Sequence, residues 1–184
     1  MDRREVAQVL NKPLALQLMS SDIPARMACT GLDGGPRVVP LGFLWSGAEI
    51  LICTLPGSYK VRALAADPKV ALTIDTTGRQ PPHVLLVRGT ADTEVVEGVP
   101  AEYLEAARKY VTGQQWPAFE AEVRSLYQQM VGITVTPEWA KLLDFETTIP
   151  TAVERLVRER AGEQESSADA AVDVPQQPRS AKYP

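Results

Sequence analysis

The chain has little of two residues that commonly form metal sites and catalytic triads. It contains one histidine, His83, and two cysteines, Cys29 and Cys53, among 184 residues. The cysteines stand in separate apolar stretches with no Cys-x-x-Cys pair, so we expect two reduced, buried thiols. A single histidine supplies neither a zinc site of the usual His/Cys kind nor a convincing Ser-His-Asp triad. The sequence therefore predicts no metal centre and argues against metal-dependent hydrolysis.

Long apolar runs and an excess of basic charge are also missing. No stretch approaches the roughly 18–20 apolar residues of a membrane span, and residues 1–5 (MDRRE) lack the apolar segment of a signal peptide. The formal net charge is −4, which disfavours a broad nucleic-acid-binding surface. We expect a cytoplasmic protein that binds neither membranes nor nucleic acid.

The composition changes near residue 161. Hydrophobic residues make up 45% of the sequence, which is enough for a core that needs no disulfide or metal. Residues 161–184 (AGEQESSADAAVDVPQQPRSAKYP) contain almost no large apolar side chain, so they cannot bury enough surface to offset the entropy lost on ordering. We predict one folded domain over residues 1–160 and a disordered C-terminal tail over residues 161–184.

Strand-like segments dominate the folded part. A glycine-containing loop at residues 33–36 separates the first two and predicts a hairpin. Strands are expected at residues 26–32, 37–45, 49–55, 69–76 and 83–96, with a bend at Gly89 and weaker candidates at 133–136 and 140–146. Helices are expected at residues 13–20, 58–66 and 152–159, and beginning at Pro100 and Pro117. Closely connected antiparallel strands with helices at their ends indicate a mainly β, α+β fold, a small closed or split barrel.

The segment from Thr54 to Arg62 (TLPGSYKVR) has the pattern of an anion site. It leaves a strand, turns through Pro-Gly and enters a helix at Ser58, and helix N-termini attract anions. Lys60 and Arg62 add cations in the first turn, where the helix dipole alone would disfavour them. Two interpretations stay open: the segment binds a phosphate, or Ser58 is only an N-cap and both basic side chains point into water. The P-loop pattern GxxxxGK[ST] is absent.

A further basic residue, Arg37, opens the strand Arg37-Val38-Val39-Pro40. A proline inside a strand favours a sheet edge, or a place where something other than a neighbouring strand meets the backbone. Arg37 is therefore either a third cation at the anion site or a solvated strand end.

In their order and spacing, these motifs resemble the pyridoxamine 5′-phosphate oxidase-like, FMN-binding split-barrel superfamily. Residues 37–40 are similar to its Arg-x-Val strand beside the flavin, and Thr54 with residues 58–60 is similar to its Thr…Ser-Arg-Lys phosphate loop. The resemblance covers roughly residues 13–146. It implies a homodimer that binds FMN, or alternatively F420 or more distantly haem, at the subunit interface. The cofactor-binding residues that it implies are Arg37, Val38, Val39, Pro40, Thr54, Ser58, Tyr59, Lys60 and Arg62.

Three residues differ from the pattern of the oxidase itself. Tyr59 stands where the oxidase has a phosphate-binding arginine, Gly42 where it has a substrate-binding lysine, and Val84 where it has a flavin-binding glutamine. These differences favour the branch of flavin- or F420-dependent reductases over the oxidation of pyridoxamine phosphate. We predict an oxidoreductase that transfers a hydride to or from an unidentified small molecule, with no catalytic residue assigned. The alternative is a flavin- or haem-binding protein without turnover, or an interaction module that keeps the barrel.

Overall fold

The computed structural model describes residues 1–76, 78, 80–147, 153–154, 156 and 160. The chain divides into two units, Met1–Asp144 and Phe145–Pro184, and all elements named below lie in the first. The predicted tail and most of the helix predicted at 152–159 lie outside the described residues. Within the described ranges, no helix has both the length and the apolar character needed to cross a membrane.

The first unit contains strands and helices in mixed order. The strands are β1 (Ala25–Thr30), β2 (Pro36–Leu41), β3 (Leu44–Trp45), β4 (Ile50–Thr54), β5 (Lys69–Asp75), β6 (His83–Glu97) and β7 (Gln129–Asp144). The helices are α1 (Arg3–Leu10), α2 (Pro13–Ser20), α3 (Tyr59–Ala66), α4 (Ala101–Ala107) and α5 (Trp116–Leu126), and a turn of 3-10 helix (Gly113–Gln115) precedes α5.

The strands form one antiparallel sheet in the order β2-β1-β5-β6-β7-β4-β3. Its edge strands β2 and β3 are separated in sequence only by Gly42 and Phe43. Three residue steps reach at most about 11 Å, so the sheet must curl until its two edges approach each other. Phe43 is fully buried at this closure. The fold is the split β-barrel with added helices that the sequence predicts.

Alternate strand residues fill the barrel interior. In β1, for example, Ala25, Met27 and Cys29 are buried and the residues between them are more exposed. Among the largest fully buried side chains are Met27, Phe43, Ile50, Ile52, Leu72, Ile74, Leu85 and Ile133. A second, smaller cluster joins α4 to α5 through Leu104, Trp116 and Val123. Both cysteines are free thiols; Cys29 is buried and Cys53 is only partly buried.

The patterns considered above do not predict α1. Asp2 caps this helix by accepting hydrogen bonds from the backbone N–H groups of Arg4 and Glu5, each at 2.8 Å. Glu5 in turn accepts from the Asp2 N–H at 2.8 Å, which completes a capping box. Val6 and Leu10, four residues apart, bury one face of the helix in the main core. The Asp-x-x-Glu spacing just before those apolar residues was the available signal.

Two predicted strand boundaries are wrong. The strand expected at 37–45 is broken at Gly42 and Phe43, because there the chain passes from one edge of the sheet to the other. The two weak strands expected at 133–136 and 140–146 are one strand, β7, which pairs along the whole length of β6. Pro137, which interrupts the sequence pattern, lies at an irregularity in this pairing, where proline is tolerated.

That irregularity is the bend predicted at Gly89. Arg88 pairs with Trp139 and Gly89 with Pro137, so one strand carries an extra residue, as in a β-bulge. A Cβ atom on Gly89 would overlap the carbonyl oxygen of Thr136. The bulge therefore requires glycine at this position.

We expect Gly89→Ala to lower the free energy of unfolding by roughly 1–3 kcal/mol, the usual cost of overpacking. Gly132→Ala is a matched control in β7, since its Cβ would meet only the Glu94 carbonyl oxygen, at 3.9 Å. Urea unfolding of both variants and the parent chain measures the difference. Equal stability of the two variants would contradict the bulge geometry.

Candidate functional site

The start of α3 is an uncapped helix end. Ser58 occupies the N-cap position with extended backbone, and among the described residues no side chain caps the helix. The Ser58 hydroxyl instead accepts a hydrogen bond from the Thr54 hydroxyl at the end of β4, at 3.4 Å. The first N–H groups of a helix have no partner within the helix. This end of α3 therefore offers backbone donors and the positive end of the helix dipole.

Lys60 bends back over this helix end. Its Nζ donates to the Thr54 hydroxyl oxygen at 3.0 Å, and the contact is partly buried. Thr54, Ser58 and Lys60 thus form one hydrogen-bonded group, which we call the Thr54–Ser58–Lys60 cluster. A lysine ammonium has three donors, so this contact leaves donor capacity for an anion.

Tyr59 holds α3 against the β1–β2 loop. Its hydroxyl oxygen accepts a hydrogen bond from the Leu32 backbone N–H at 2.8 Å. The guanidinium carbons of Arg37 and Arg62 lie 5.7 and 5.8 Å from the centre of its ring, within the range of a cation–π contact. The structure therefore brings Arg37 and Arg62 to the same tyrosine at the start of α3.

Arg37 also binds an acidic residue in the hairpin loop. Its Nη2 lies 2.6 Å from an Asp33 carboxylate oxygen. The pKa of Asp33 is lowered first by the Gly35 backbone N–H that donates to it, and second by Arg37. Both side chains are well exposed, so the pair is worth little to stability and can rearrange around a ligand.

Cys29 lies opposite Arg37 in the neighbouring strand β1. Arg37 pairs directly with Cys29 across β1 and β2, so the two side chains lie on the same face of the sheet. Burial raises the pKa of the Cys29 thiol, and the charges of Arg37 and Lys60 oppose that effect.

The β2 side chains predicted to contact a cofactor do not share one face. Arg37 and Val39 lie opposite Cys29 and Met27 in β1, whereas Val38 and Pro40 alternate with them on the other face. Val38 is 66% exposed, and β2 is an edge strand. One planar ligand can meet two of these side chains and the backbone between them, but not all four side chains.

Sequence reasoning missed Gly31 and Asp33 as parts of the site. A Cβ atom on Gly31 would lie 2.8 Å from the Tyr59 hydroxyl oxygen and 2.8 Å from an Asp33 carboxylate oxygen. Glycine at 31 therefore lets the tyrosine approach the loop. The Asp-Gly-Gly-Pro pattern marks the hairpin, but no local signal shows that α3 packs on it.

Around the open end of α3 the chain thus places three cations, Arg37, Lys60 and Arg62, and one carboxylate, Asp33. The excess positive charge, the two hydroxyls and the backbone donors suit an anion such as a phosphate. Of the predicted site residues, Arg37, Thr54, Ser58, Tyr59, Lys60 and Arg62 converge on this helix end. Val38, Val39 and Pro40 lie farther along β2 and divide between its two faces.

We expect Tyr59→Phe to speed hydrogen exchange at the Leu32 amide by roughly 2- to 10-fold, because it removes one hydrogen-bond acceptor worth about 0.5–1.5 kcal/mol. The Gly34 amide is the internal control, since it donates to the Gly31 carbonyl at 2.8 Å in the same loop. Amide exchange followed by NMR measures both. An unchanged Leu32 rate would show that Tyr59 does not anchor the loop.

Comparison with known proteins gives a family match. The family model described as pyridoxamine 5′-phosphate oxidase matches residues 12–143. The matched range includes every predicted cofactor-binding residue. No curated protein matches the chain in sequence.

Solved structures share the fold at low sequence identity. A protein named F420 reductase is 24% identical, with a TM-score of 0.53 over 68% of this chain and 94% of that one. A conserved hypothetical protein from Mycobacterium tuberculosis is 21% identical, with a TM-score of 0.51 over 78% and 85%. HutZ, a haem storage protein from Vibrio cholerae, is 15% identical, with a TM-score of 0.51 over 72% and 92%. At these identities the likeness shows the fold alone.

Proposed function

Because the chain belongs to the pyridoxamine 5′-phosphate oxidase family, we propose that it is an oxidoreductase that binds FMN or the deazaflavin F420. The observation that carries the proposal is the position of Lys60, folded back onto Thr54 beside the uncapped start of α3. Without a ligand, this arrangement concentrates positive charge where the helix dipole is already positive. A bound phosphate would offset that charge.

The residues present fit a phosphate-bearing cofactor. Ser58, Lys60 and the first N–H groups of α3 would hold the phosphate, with Arg62 beside them. Arg37 and the edge of β2 would lie along the rest of the ligand. When bound, the flavin or deazaflavin supplies hydride-transfer chemistry, and the protein supplies binding, orientation and electrostatics.

Of the proteins with a similar fold, one is named F420 reductase and another a haem storage protein. F420 and haem should therefore be tested for binding alongside FMN. A haem site commonly uses a histidine ligand. The single histidine, His83, stands at the start of β6, and its Nε2 lies 3.3 Å from a carboxylate oxygen of Asp144 at the end of β7. The segments that form the α3 site contain no histidine. This favours FMN or F420 over haem.

We further propose that two copies of the chain form a dimer at this site. β2 is an edge strand with an exposed valine, and an unpaired edge is a surface on which a second chain can pack. The Arg37 side of the site is exposed in the single chain. A second copy would cover a ligand lying along β2.

Light scattering at micromolar concentration should therefore give twice the 20.1 kDa mass of one chain. Replacing the exposed Val38 by lysine should shift the population toward single chains, because charges on edge strands oppose pairing. A mass of one chain for the unmodified protein would contradict the dimer.

Lys60→Ala should weaken FMN or F420 binding about 10- to 150-fold, because a charge-assisted contact is worth roughly 1.5–3 kcal/mol and each ~1.4 kcal/mol is tenfold. Raising the salt concentration should weaken binding to the parent chain more than to the variant, since the lost interaction is electrostatic. Titration with FMN, F420 and haem, followed by absorbance, gives the affinities.

Two controls isolate the phosphate contact. Lys141→Ala removes the same charge at an exposed position of β7 and should leave the affinity unchanged. Riboflavin, which lacks the phosphate, should bind the parent chain and Lys60→Ala equally. If Lys60→Ala binds FMN and F420 as tightly as the parent chain does, Lys60 does not contact the phosphate. That result would remove the main support for the proposed function.

A further inference from the structure

A cavity of about 480 Å³ lies between the end of β2 and the helices α4 and α5. Its barrel side includes residues 40–42, and its helix side includes Tyr103, Ala107, Tyr110 and Phe119. Leu41 packs on the main core, whereas Tyr103, Ala107 and Phe119 pack on the smaller cluster. The cavity is therefore the unfilled seam between the two apolar clusters.

No residue lining this cavity is charged. The two basic residues that lie between Ala107 and Tyr110 in sequence are engaged elsewhere. Arg108 places its guanidinium carbon 3.9 Å from the centre of the Trp116 ring. Lys109 donates to the Met19 carbonyl oxygen at 2.7 Å and lies 4.0 Å from the centre of the Phe43 ring. The cavity therefore has no cation to bind a phosphate or carboxylate.

Two tyrosine hydroxyls, those of Tyr103 and Tyr110, belong to the lining of the cavity. Burial raises the pKa of Tyr110, and the Asp22 carboxylate raises it further. Burial also raises the pKa of Tyr103, so both tyrosines keep their hydroxyl protons at neutral pH and can donate hydrogen bonds.

Gly42 keeps the cavity open. A Cβ atom at this position would lie 3.3 Å from the Tyr110 ring, which is tighter than an ordinary van der Waals contact. A larger side chain would have to displace the tyrosine or enter the cavity. Glycine therefore lets the tyrosine ring form one wall directly over the end of β2.

We propose that this cavity binds the substrate, and that the substrate is an uncharged, mainly apolar aromatic molecule. The volume lies within the range of small-molecule sites, about 300–1,000 Å³, and the aromatic walls suit a planar ligand. Pro40, one of the residues predicted to bind the cofactor, also lines the cavity, so a ligand there would lie next to the cofactor. That this ligand is the substrate rests on the proposed function.

The test compares 1-naphthol with 1-naphthyl phosphate, which have the same ring system but differ in charge. Binding of 1-naphthol to the full chain is followed by ligand-detected NMR at pH 7, and 1-naphthyl phosphate is added as a competitor. We expect 1-naphthol to bind and the phosphate ester to displace it at least about 10-fold less effectively. The experiment measures only the loss of bound 1-naphthol. An ester molecule that binds at the start of α3 leaves 1-naphthol in the cavity and is therefore not counted.

Ala107→Phe fills the cavity and should weaken 1-naphthol binding at least about 10-fold. The matched control is Ala101→Phe, the same change at an exposed position of the same helix, which should stay within about twofold. Melting temperatures verify that both variants fold, and Ala107→Leu is the smaller replacement if Ala107→Phe does not.

Absence of 1-naphthol binding, equal competition by the phosphate ester, or unchanged binding in the folded position-107 variant would each overturn the proposal. A partner chain that fills the cavity would give the first of these results. If 1-naphthol binds but neither FMN nor F420 does, the cavity stands as a ligand site and the proposed function fails. If a cofactor binds but 1-naphthol does not, the proposed function stands and the cavity proposal fails.

Discussion

Gly42 and Phe43 are the only residues between β2 and β3, the two edge strands of the seven-stranded sheet. This short connection keeps the two edges close together, and both the barrel interior and the cavity depend on it. Phe43 is buried there, so closing the barrel also fills its interior. Gly42 brings the backbone beneath Tyr110 and leaves the cavity beside it. Arg37 and Pro40 stand three residues apart on β2, roughly 10 Å along an extended strand. One edge strand therefore runs from the cationic end of α3 to the apolar cavity.

The cations at α3 are held by contacts that a ligand can replace. Lys60 rests on a threonine hydroxyl, and Arg37 is shared between Asp33 and the Tyr59 ring. The Arg37–Asp33 ion pair is exposed, and such pairs contribute little to stability. Turning Arg37 toward a phosphate therefore costs little. Tyr59, in contrast, is fixed by the Leu32 amide. The site thus combines a tyrosine anchored to the hairpin loop with cations whose present contacts a ligand can replace.

Several parts of this architecture can be predicted from the sequence, because short-range patterns specify them. The 13–20 helix, the hairpin at 33–36 and the bend at Gly89 each follow from spacing, turn residues or glycine, and the structure contains all three. The strand end, turn and helix start from Thr54 to Arg62 are local in the same way. The capping box of α1 is local as well, in the spacing of Asp2 and Glu5.

What could not be predicted depends on contacts between distant segments. The continuous strand β7 is specified by pairing with β6, some forty residues earlier, across a bulge that accommodates Pro137. The approach of Tyr59, in α3, to Leu32 needs Gly31, which lies beside Leu32 in the β1–β2 loop. The cavity is formed by the end of β2, at Leu41, and by two helices that begin much later in the chain, at Ala101 and Trp116. The hydrophobic pattern of a single strand or helix does not show which distant elements it will pack against, so it does not predict this cavity.

The most direct test of the account is a crystal structure of the chain with bound FMN, or with F420 if that binds more tightly. We expect the phosphate to lie at the start of α3, within hydrogen-bond distance of Lys60 Nζ and the Ser58 hydroxyl. A cofactor phosphate bound elsewhere, with Lys60 still resting on Thr54, would contradict it.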